Sequence, residues 1–150
     1  MAGFSREAYY LGPNGNGALA KLIINLNILA HRFALAEGLV LAEKAGIDLT
    51  RMLAILKDSA AGCKVMDQKG TKMVEAEYSP VGRLLNATKD IGLIREQGRE
   101  HESPMLLSSA IAEGFWMAGR QGYSELDGAA IFEFLREMAG LEGRVAVERG

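Results

Sequence analysis

Residues 11–27, with the sequence LGPNGNGALAKLIINLN, place three glycines directly before a long apolar segment. A turn built on Gly12, Gly15 and Gly17 exposes backbone N–H groups, and the helix that follows points its own unpaired amides back into that turn. Lys21 and Asn25 are four residues apart, so they lie on one face of the helix. The pattern predicts a small anion held at a helix N-terminus beside an ammonium and an amide.

The apolar segment predicts one long helix over residues 18–45. Apolar residues recur in it at alternating spacings of three and four, which is typical of a buried stripe: Leu19, Leu22, Leu26, Leu29, Phe33, Ala36 and Val40. Further apolar residues widen this stripe, so we expect neighbours on more than one side. Gly46 is predicted to end the helix as its C′ residue.

Capping signals predict five further helices. Asp48 precedes the second helix, and Ser79 and Ser103, each followed by proline, are typical N-caps. Ser124 begins a capping-box pattern for the last helix, which Gly140 ends. The predicted bounds, in chain order, are 18–45, 49–57, 59–72, 79–99, 103–118 and 124–139. The sequence therefore predicts an all-α six-helix bundle with one long N-terminal helix.

This organisation divides the 150 residues into one domain and two short ends. The domain is predicted over residues 12–140. Residues 1–11 are interpreted as a linker or as the remnant of a preceding domain. The tail over residues 141–150 is expected to be frayed, because chain ends are poorly ordered unless something holds them.

Composition excludes several function classes. The net charge is −2 and no block of Lys and Arg is present, so nucleic-acid binding has no electrostatic footprint. The one cysteine, Cys63, excludes an internal disulfide and favours a reducing compartment, for which we predict the cytoplasm. The segment 18–42 is long and apolar, but Lys21, Arg32 and Glu37 would be too costly in hydrocarbon, so we predict no membrane span.

Residues 15–20 fit the pattern G-x-G-x-x-A, which also occurs in dinucleotide-binding turns. That fingerprint requires a buried strand before it and a βαβ unit around it. The preceding residues 6–11 read REAYYL, and no alternating strands and helices follow. We therefore interpret the glycine pattern as a helix-initiating turn and not as a dinucleotide fingerprint.

Lys21 and Asn25 admit two interpretations from the residues alone. Both could face solvent, or both could face a cleft, and their almost wholly apolar neighbours favour the cleft. A partly buried lysine there would suit general acid/base chemistry. By itself, the pair Lys89 and Asp90 is typical of a solvated helix surface. Three further residues lack the sequence context of a metal site or an activated nucleophile: His31, Cys63 and His101.

Taken together, the chain resembles the C-terminal helical domain of the β-hydroxyacid dehydrogenases, a family that includes 3-hydroxyisobutyrate dehydrogenase. Four pieces in order carry the resemblance: LGPNGNGALAKLIINLN, ALAEGLVLAEKAGID, LLNATKDIGLI and SPMLLSSAIAEGFWMAGRQGYSELDGAAIFEFLRE. The resemblance implies a fold like the C-terminal domain of 6-phosphogluconate dehydrogenase. It also implies hydride transfer between NAD or NADP and a small β-hydroxy acid.

The resemblance implies roles on the substrate side for several residues. Lys21 falls at the family's catalytic lysine, which passes a proton to or from the substrate oxygen as hydride moves. Asn25 falls at the asparagine that helps to hold the substrate. Gly15, Asn16 and Gly17 fall in the turn that lies against the carboxylate end of the substrate.

On the cofactor side, Lys89 falls at the lysine that reaches the nicotinamide cofactor, and Asp90 is its neighbour in the motif. Two features depart from the family. Family members often carry an aromatic residue seven positions before this lysine, where this chain has Gly82. In the family a Rossmann domain also precedes the glycine turn, whereas this chain begins eleven residues before Gly12.

These departures lead to further expectations. The resemblance implies a Rossmann partner domain, and without it we expect the chain to be catalytically silent. We also expect a homodimer with the long helix at or near the contact, because its exposed apolar face would seek a second copy. Two alternatives stay open: an imine reductase-like enzyme, which Lys21 disfavours because those enzymes usually lack this lysine, and a non-catalytic helical dimerisation or interaction module.

Overall fold

A computed structural model describes residues 10–148 of the chain. These residues form six α-helices, and the all-α prediction is confirmed. Their bounds are α1 Asn16–Lys44, α2 Leu49–Asp58, α3 Thr71–Glu75, α4 Leu84–Glu100, α5 Leu106–Ala118 and α6 Ile131–Met138. Within the described range, β-structure is limited to one isolated bridge, which pairs Arg83 with Asp127.

The long helix α1 is the centre of the bundle. Its 29 residues span about 44 Å at the usual rise, and the other long helices and α2 pack around it. Its buried residues lie in the second half, from Leu29 to Ala42. The first half of α1 therefore extends along the bundle with much of its surface open, and by length and composition alone α1 could also cross a membrane.

The core is built from aromatic and branched side chains of every long helix. The largest fully buried side chains include Leu39 on α1, Ile91 on α4, Phe115 on α5 and Phe132 on α6. Phe115 meets the α1 residue Phe33 edge to face, with 6.0 Å between ring centroids. Such a contact adds about 1 kcal/mol to the burial of the rings, so it fixes α5 against α1.

Local signals correctly predicted the connection between α1 and α2. Gly46 has a φ of +75°, and its N–H donates to the carbonyl of Glu43 while the next amide, of Ile47, donates to Ala42. This pair of bonds is the glycine-ended cap that the sequence predicted. The Asp48 side chain accepts a 2.8 Å hydrogen bond from the amide of Arg51, so it is the N-cap of α2.

The predicted starts of the later helices are wrong. Helix α4 begins at Leu84 rather than after Ser79, and α5 begins at Leu106 rather than after Ser103; neither has a side-chain cap. A 3₁₀ turn, Gly128–Ala130, leads into α6, and its cap is Asp127 rather than Ser124. The predicted element at 59–72 is instead a π-helical turn, Met66–Gly70, that continues into α3.

The described part of the C-terminal tail is packed and not frayed, which corrects the expectation for residues 141–150. Val145 and Val147 pack against the core. The guanidinium of Arg144 donates to the buried carboxylate of Glu133 at 2.5 Å and to the carbonyl of Met73 at 2.6 Å. A network of charges thus holds the tail against α3 and α6. Residues 1–9, which include most of the predicted linker, and residues 149–150 lie outside the described range.

Candidate functional site

A turn built on Gly12 and Gly15 opens α1, whereas Gly17, which was predicted to lie in this turn, is the second residue of the helix. Gly12 and Gly15 have φ values of +93° and +105°, a region that glycine enters without strain. The side-chain amide of Asn16 donates to the carbonyl of Leu11 at 2.7 Å and braces the turn. No side chain caps α1, and its first turn contains no acidic residue. Gly15, Asn16 and Gly17 are all exposed, so this helix start is open to an anion.

A hydrogen bond connects two of the motifs that the sequence singled out. The Nδ2 of Asn25 on α1 donates to Oδ2 of Asp90 on α4 over 3.2 Å, and both residues are half-buried. This bond uses one amide proton, so the Oδ1 of Asn25 and its second proton are still available to a ligand. The structure therefore brings the predicted substrate asparagine and the predicted cofactor-side aspartate to one place.

The two candidate lysines are less enclosed than expected. Lys21 lies one turn before Asn25 on the same side of α1, but its side chain is exposed, and Lys89 on α4 is exposed as well. The expectation that Lys21 is partly buried is therefore wrong for this chain by itself. The proton-transfer role of Lys21 and the cofactor role of Lys89 stay predictions.

A polar cleft of about 280 Å³ surrounds the Asn25–Asp90 bond. It lies between α1, the N-terminal half of α4 and the loop that precedes α4. Its polar lining consists of Asn25, Arg32, Gln68, Arg83, Asn86 and Asp90. Sequence reasoning missed Arg32 as a site residue. The signal was present, because Arg32 is seven residues after Asn25 and so lies on the same helix face.

The loop that forms the rim of the cleft is fixed by Asp127, a residue with no exposed surface. Its carboxylate accepts hydrogen bonds from the ammonium of Lys69 at 2.8 and 2.9 Å and from the amides of Val81 and Gly82 at 3.0 and 3.3 Å. Burial alone would raise the pKa of Asp127, but the bonds from Lys69 and from backbone amides hold it below its usual value. This buried ion pair positions Gly82 and Arg83 beside α1.

Gly82 leaves the rim of the cleft open. A Cβ atom built at this position would have no other atom within 4 Å. The loop therefore contributes backbone but no side chain there, which agrees with the absence of the aromatic residue noted in the sequence. The cleft is wider at this point than a side chain at position 82 would allow.

A second, mostly apolar cleft of about 260 Å³ lies on the other side of the first half of α1. It is lined by residues of α1 and of the α4–α5 connection, among them Leu22, Leu26 and Met105. Across residues 10–148, no group of three His, Cys, Asp or Glu side chains is placed to hold a metal ion.

These features define a class of protein: an all-α domain in which a long, partly uncovered helix forms the wall of a polar ligand cleft. The sequence model described as the NAD-binding domain of NADP-dependent 3-hydroxyisobutyrate dehydrogenase matches residues 15–135. The chain belongs to this hydroxyacid dehydrogenase family, whose model is named for an NADP-dependent oxidoreductase.

Individual relatives agree with this assignment. The chain is 34% identical to glyoxylate/succinic semialdehyde reductase 1 of Arabidopsis thaliana, over 87% of this chain and 45% of that protein. The solved 3-hydroxyisobutyrate dehydrogenase of Salmonella typhimurium superposes with a TM-score of 0.78 at 28% identity, over 80% of this chain and 42% of that one. The cytokine-like nuclear factor N-PAC of Aedes aegypti is 28% identical, over 85% of this chain and 23% of that protein.

The chain spans less than half of the length of each of these relatives. The open start of α1 and the two cations of the polar cleft suit an anionic ligand. The strand–turn–helix unit that grips a dinucleotide is not among residues 10–148, which contain no strand. The described residues therefore do not include the dinucleotide-binding fold.

Proposed function

We propose that this chain supplies the substrate-side wall and the proton-transferring lysine of an NAD(P)-dependent β-hydroxyacid dehydrogenase. The observation that supports this most is the Asn25–Asp90 hydrogen bond. It joins two motifs that are 65 residues apart in the chain. The family resemblance assigns one of them to the substrate side of the cleft and the other to the cofactor side.

In the proposed reaction, the open start of α1 receives the carboxylate of a small hydroxy acid through the exposed amides near Gly15 and Gly17. Asn25, oriented by Asp90, presents its free amide groups to the substrate. The ammonium of Lys21 donates a proton to the substrate oxygen in the reductive direction, and neutral Lys21 accepts it in the oxidative direction. Lys89 lies on the cofactor side. When bound, the nicotinamide supplies or accepts the hydride.

The exposure of Lys21 fits this proposal if a second domain covers the first half of α1. A covering domain would exclude water from the ammonium and strengthen its interaction with the substrate oxygen. Assayed alone, the 150-residue chain is accordingly expected to show no NAD(P)-dependent turnover. Turnover by the purified chain would contradict the proposal that a second domain is required for activity.

The decisive experiment fuses the chain to the cofactor-binding portion of the Arabidopsis reductase and measures turnover with small hydroxy acids and semialdehydes. Lys21→Ala is expected to lower kcat by about 10²–10⁴-fold, the usual contribution of a general acid/base. Lys64→Ala removes an exposed lysine far along the chain and is the matched control, with kcat unchanged. Equal activity of both variants would overturn the proposed role of Lys21.

One observation favours a second candidate, a non-catalytic helical module. Lys21 is exposed in this chain, and the relatives include a protein named as a nuclear factor. Under this alternative the fusion would bind its cofactor without turnover, and Lys21→Ala would leave every property of the chain unchanged. The same fusion experiment therefore separates the two candidates.

The proposed assembly is a homodimer that contacts through α1. Ile23 and Leu41 are 53% and 71% exposed, and their spacing of 18 residues places them on one face of the helix. Leu41→Lys is expected to shift sedimentation towards monomer at micromolar concentration, whereas Leu106→Lys, on the exposed start of α5, is not. A wild-type chain that sediments only as monomer would contradict the proposal.

A further inference from the structure

Arg32 is a cation of the polar cleft that has no hydrogen-bond partner in the described part of the chain. It forms no hydrogen bond with residues 10–148, and its Nε atom is in addition shielded from solvent. The guanidinium lies against the backbone of Gly128, where an added Cβ atom would stand 2.3 Å from Nη1. Packing therefore holds this side chain at the cleft, while its five N–H donors are left unused.

The carboxylate whose charge acts on Arg32 is fully used by other donors. Burial lowers the pKa of Arg32 below its usual value, and the negative charge of Asp127 opposes this shift. However, the two oxygens of Asp127 accept two hydrogen bonds from Lys69 and one from each of three backbone amides. A carboxylate offers about four lone-pair sites. Asp127 therefore has no acceptor position left for Arg32.

The buried charges beside the cleft do not balance within this cluster. Lys69 is 8% exposed and Asp127 is 0% exposed, so they form one buried pair, and Arg32 adds a second positive charge. The carboxylate of Asp90 accepts from Asn25, which is about two helical turns before Arg32 on α1. A buried charge without its own counter-charge is costly. A bound anion would therefore stabilise this arrangement.

The other polar groups of the cleft are placed to complete an anion site. The side-chain amides of Gln68 and Asn86 line the same cleft as Arg32. They come from the π-helical turn and from α4, so N–H donors reach the cleft from three elements. Arg83 at the rim is already paired with Glu125 at 3.2 Å, in an exposed ion pair. Arg32 is thus the cation that is left for a ligand.

The size of the cleft limits that ligand to a small molecule. Its volume of about 280 Å³ lies at the lower end for ligand pockets. Gly82 places no side chain at the rim, so the entrance is open. A small anion can therefore enter the cleft from solvent.

We propose that the polar cleft binds one small oxyanion, a carboxylate or a phosphate group, which Arg32 holds together with the amides of Gln68 and Asn86. The planar fork of a guanidinium pairs with two oxygens of either group. Arg32 is eleven residues after Lys21, about 16 Å along the axis of α1, so one small hydroxy acid at the start of α1 does not reach it. The oxyanion is therefore a second ligand, and this inference does not rest on the proposed function.

The first test measures the binding of inorganic phosphate and of acetate to the 150-residue chain. Chloride at the same ionic strength is the control for screening. NMR titration follows the Nε–H resonance of Arg32, which is assigned by its loss in Arg32→Met. At least one oxyanion is expected to shift this resonance to saturation, with half-saturation at about millimolar concentration, whereas chloride is not. The tighter of the two oxyanions identifies the source as a phosphate group or as a carboxylic acid.

Thermal unfolding gives an independent measurement on the same chain. At ten times the half-saturation concentration, the tighter oxyanion is expected to raise the Tm of the wild type by about 3–6 °C. Arg32→Met is expected to lose this increase. Arg32→Lys keeps a positive charge without the planar fork, so it is expected to bind several-fold more weakly than the wild type. Arg99→Met, which removes an exposed arginine near the end of α4, is the matched control and is expected to bind as the wild type does.

Two outcomes would overturn the inference. One is the absence of a saturable shift with either oxyanion, or a shift that chloride reproduces. The other is binding that Arg32→Met and Arg99→Met retain equally, since other groups would then hold the anion. Should Arg32→Met fail to fold, Arg32→Lys supplies the assignment, and the comparison of the oxyanions with chloride on the wild type decides.

The fusion enzyme keeps this inference separate from the proposed function. Turnover that depends on Lys21, without oxyanion binding at Arg32, would remove the inference and leave the function. Oxyanion binding through Arg32, without turnover that depends on Lys21, would remove the function and leave the anion site.

Discussion

Two arginines of this bundle differ in their hydrogen-bond partners. Arg136 on α6 is 4% exposed and is paired on every side. Its Nε and Nη2 donate to Glu43 at 2.7 Å, and its Nη1 donates to Glu133 at 2.9 Å. Arg32 on α1 is partly buried, yet its Nε has no hydrogen-bond partner among the described residues.

The difference separates a charge that stabilises the fold from a charge that is available to a ligand. The network around Glu133 includes Arg136, Arg144 and the hydroxyl of Tyr78, and it stacks two guanidiniums on the ring of Phe132. Burial beside Glu133 raises the pKa of Tyr78, so the phenol stays a neutral donor. No comparable network surrounds Arg32, which is what a binding site requires before its ligand arrives.

The largest expected effect tests the paired region. Glu133→Gln keeps the shape of the side chain but leaves Arg136 and Arg144 without their shared counter-charge in a buried site. The free energy of unfolding is expected to fall by about 3 kcal/mol, as is usual when one partner of a buried ion pair is lost. Urea denaturation measures this change.

The matched control for that measurement is Glu125→Gln, since Glu125 pairs with Arg83 on the surface. This variant is expected to change the unfolding free energy by less than about 0.5 kcal/mol. A loss below about 1 kcal/mol for Glu133→Gln would show that the ion pairs around Glu133 contribute little to stability. The proposed difference between Arg136 and Arg32 would then not hold.

A smaller effect concerns acid stability. The hydrogen bonds from Arg136 hold the pKa of Glu43 below its usual value of 4.5. This carboxylate therefore stabilises the fold above pH 4.5, and the contribution is lost as the pH falls through the lower folded pKa. Glu43→Gln is expected to lower the free energy of unfolding by about 1–2 kcal/mol at pH 7. Between pH 5 and pH 2 the stability of the variant is expected to fall less than that of the wild type, by roughly this same amount.

Urea midpoints of the wild type and of Glu43→Gln, taken at several pH values in that window, check this prediction. Parallel pH profiles for the two proteins would mean that the Glu43–Arg136 pair is not formed in solution. Glu77 also has a pKa lowered, to about 2, by its bonds with Lys72 and Ser79. Because Glu77 is unchanged in the variant, its contribution is common to both profiles.

The smallest expected effect is at the cleft. Arg32→Met removes a cation whose Nε has no hydrogen-bond partner among the described residues. The free energy of unfolding is therefore expected to change by less than about 1 kcal/mol. The change can be a gain in stability, because an unpaired buried charge is costly. Thermal or urea denaturation in the absence of added acids measures it. A loss as large as that of Glu133→Gln would show that Arg32 is a structural residue, and the comparison between the two arginines would fail.

Much of the helical framework was predictable from local signals. The apolar spacing of α1, the cap at Asp48 and the glycine at position 46 act within a few residues, so the sequence alone indicates them. The predicted cap at Ser79 failed because a distant partner controls that loop. The amides of Val81 and Gly82 donate to Asp127, which is more than 40 positions away.

The candidate site was predictable in its parts but not in its assembly. The resemblance singled out Asn25 and Asp90 separately, whereas their hydrogen bond depends on how α1 and α4 pack. The position of Arg32 on the same helix face as Asn25 could be counted from the sequence. That its Nε is left without a partner depends on Gly128 and on the pairing of Asp127 with Lys69.

By itself, the amino-acid sequence determined the all-α class, the long first helix, the glycine turn at its start and the resemblance to the hydroxyacid dehydrogenases. The first three properties arise from periodicity and from contacts between residues near each other in the chain, whereas the resemblance rests on four motifs that occur in order. Tertiary structure alone decided which charges were neutralised. A buried charge stabilises the fold when groups from other helices pair with it, and it can bind a ligand when none do. No local sequence pattern encodes which distant groups come close to it.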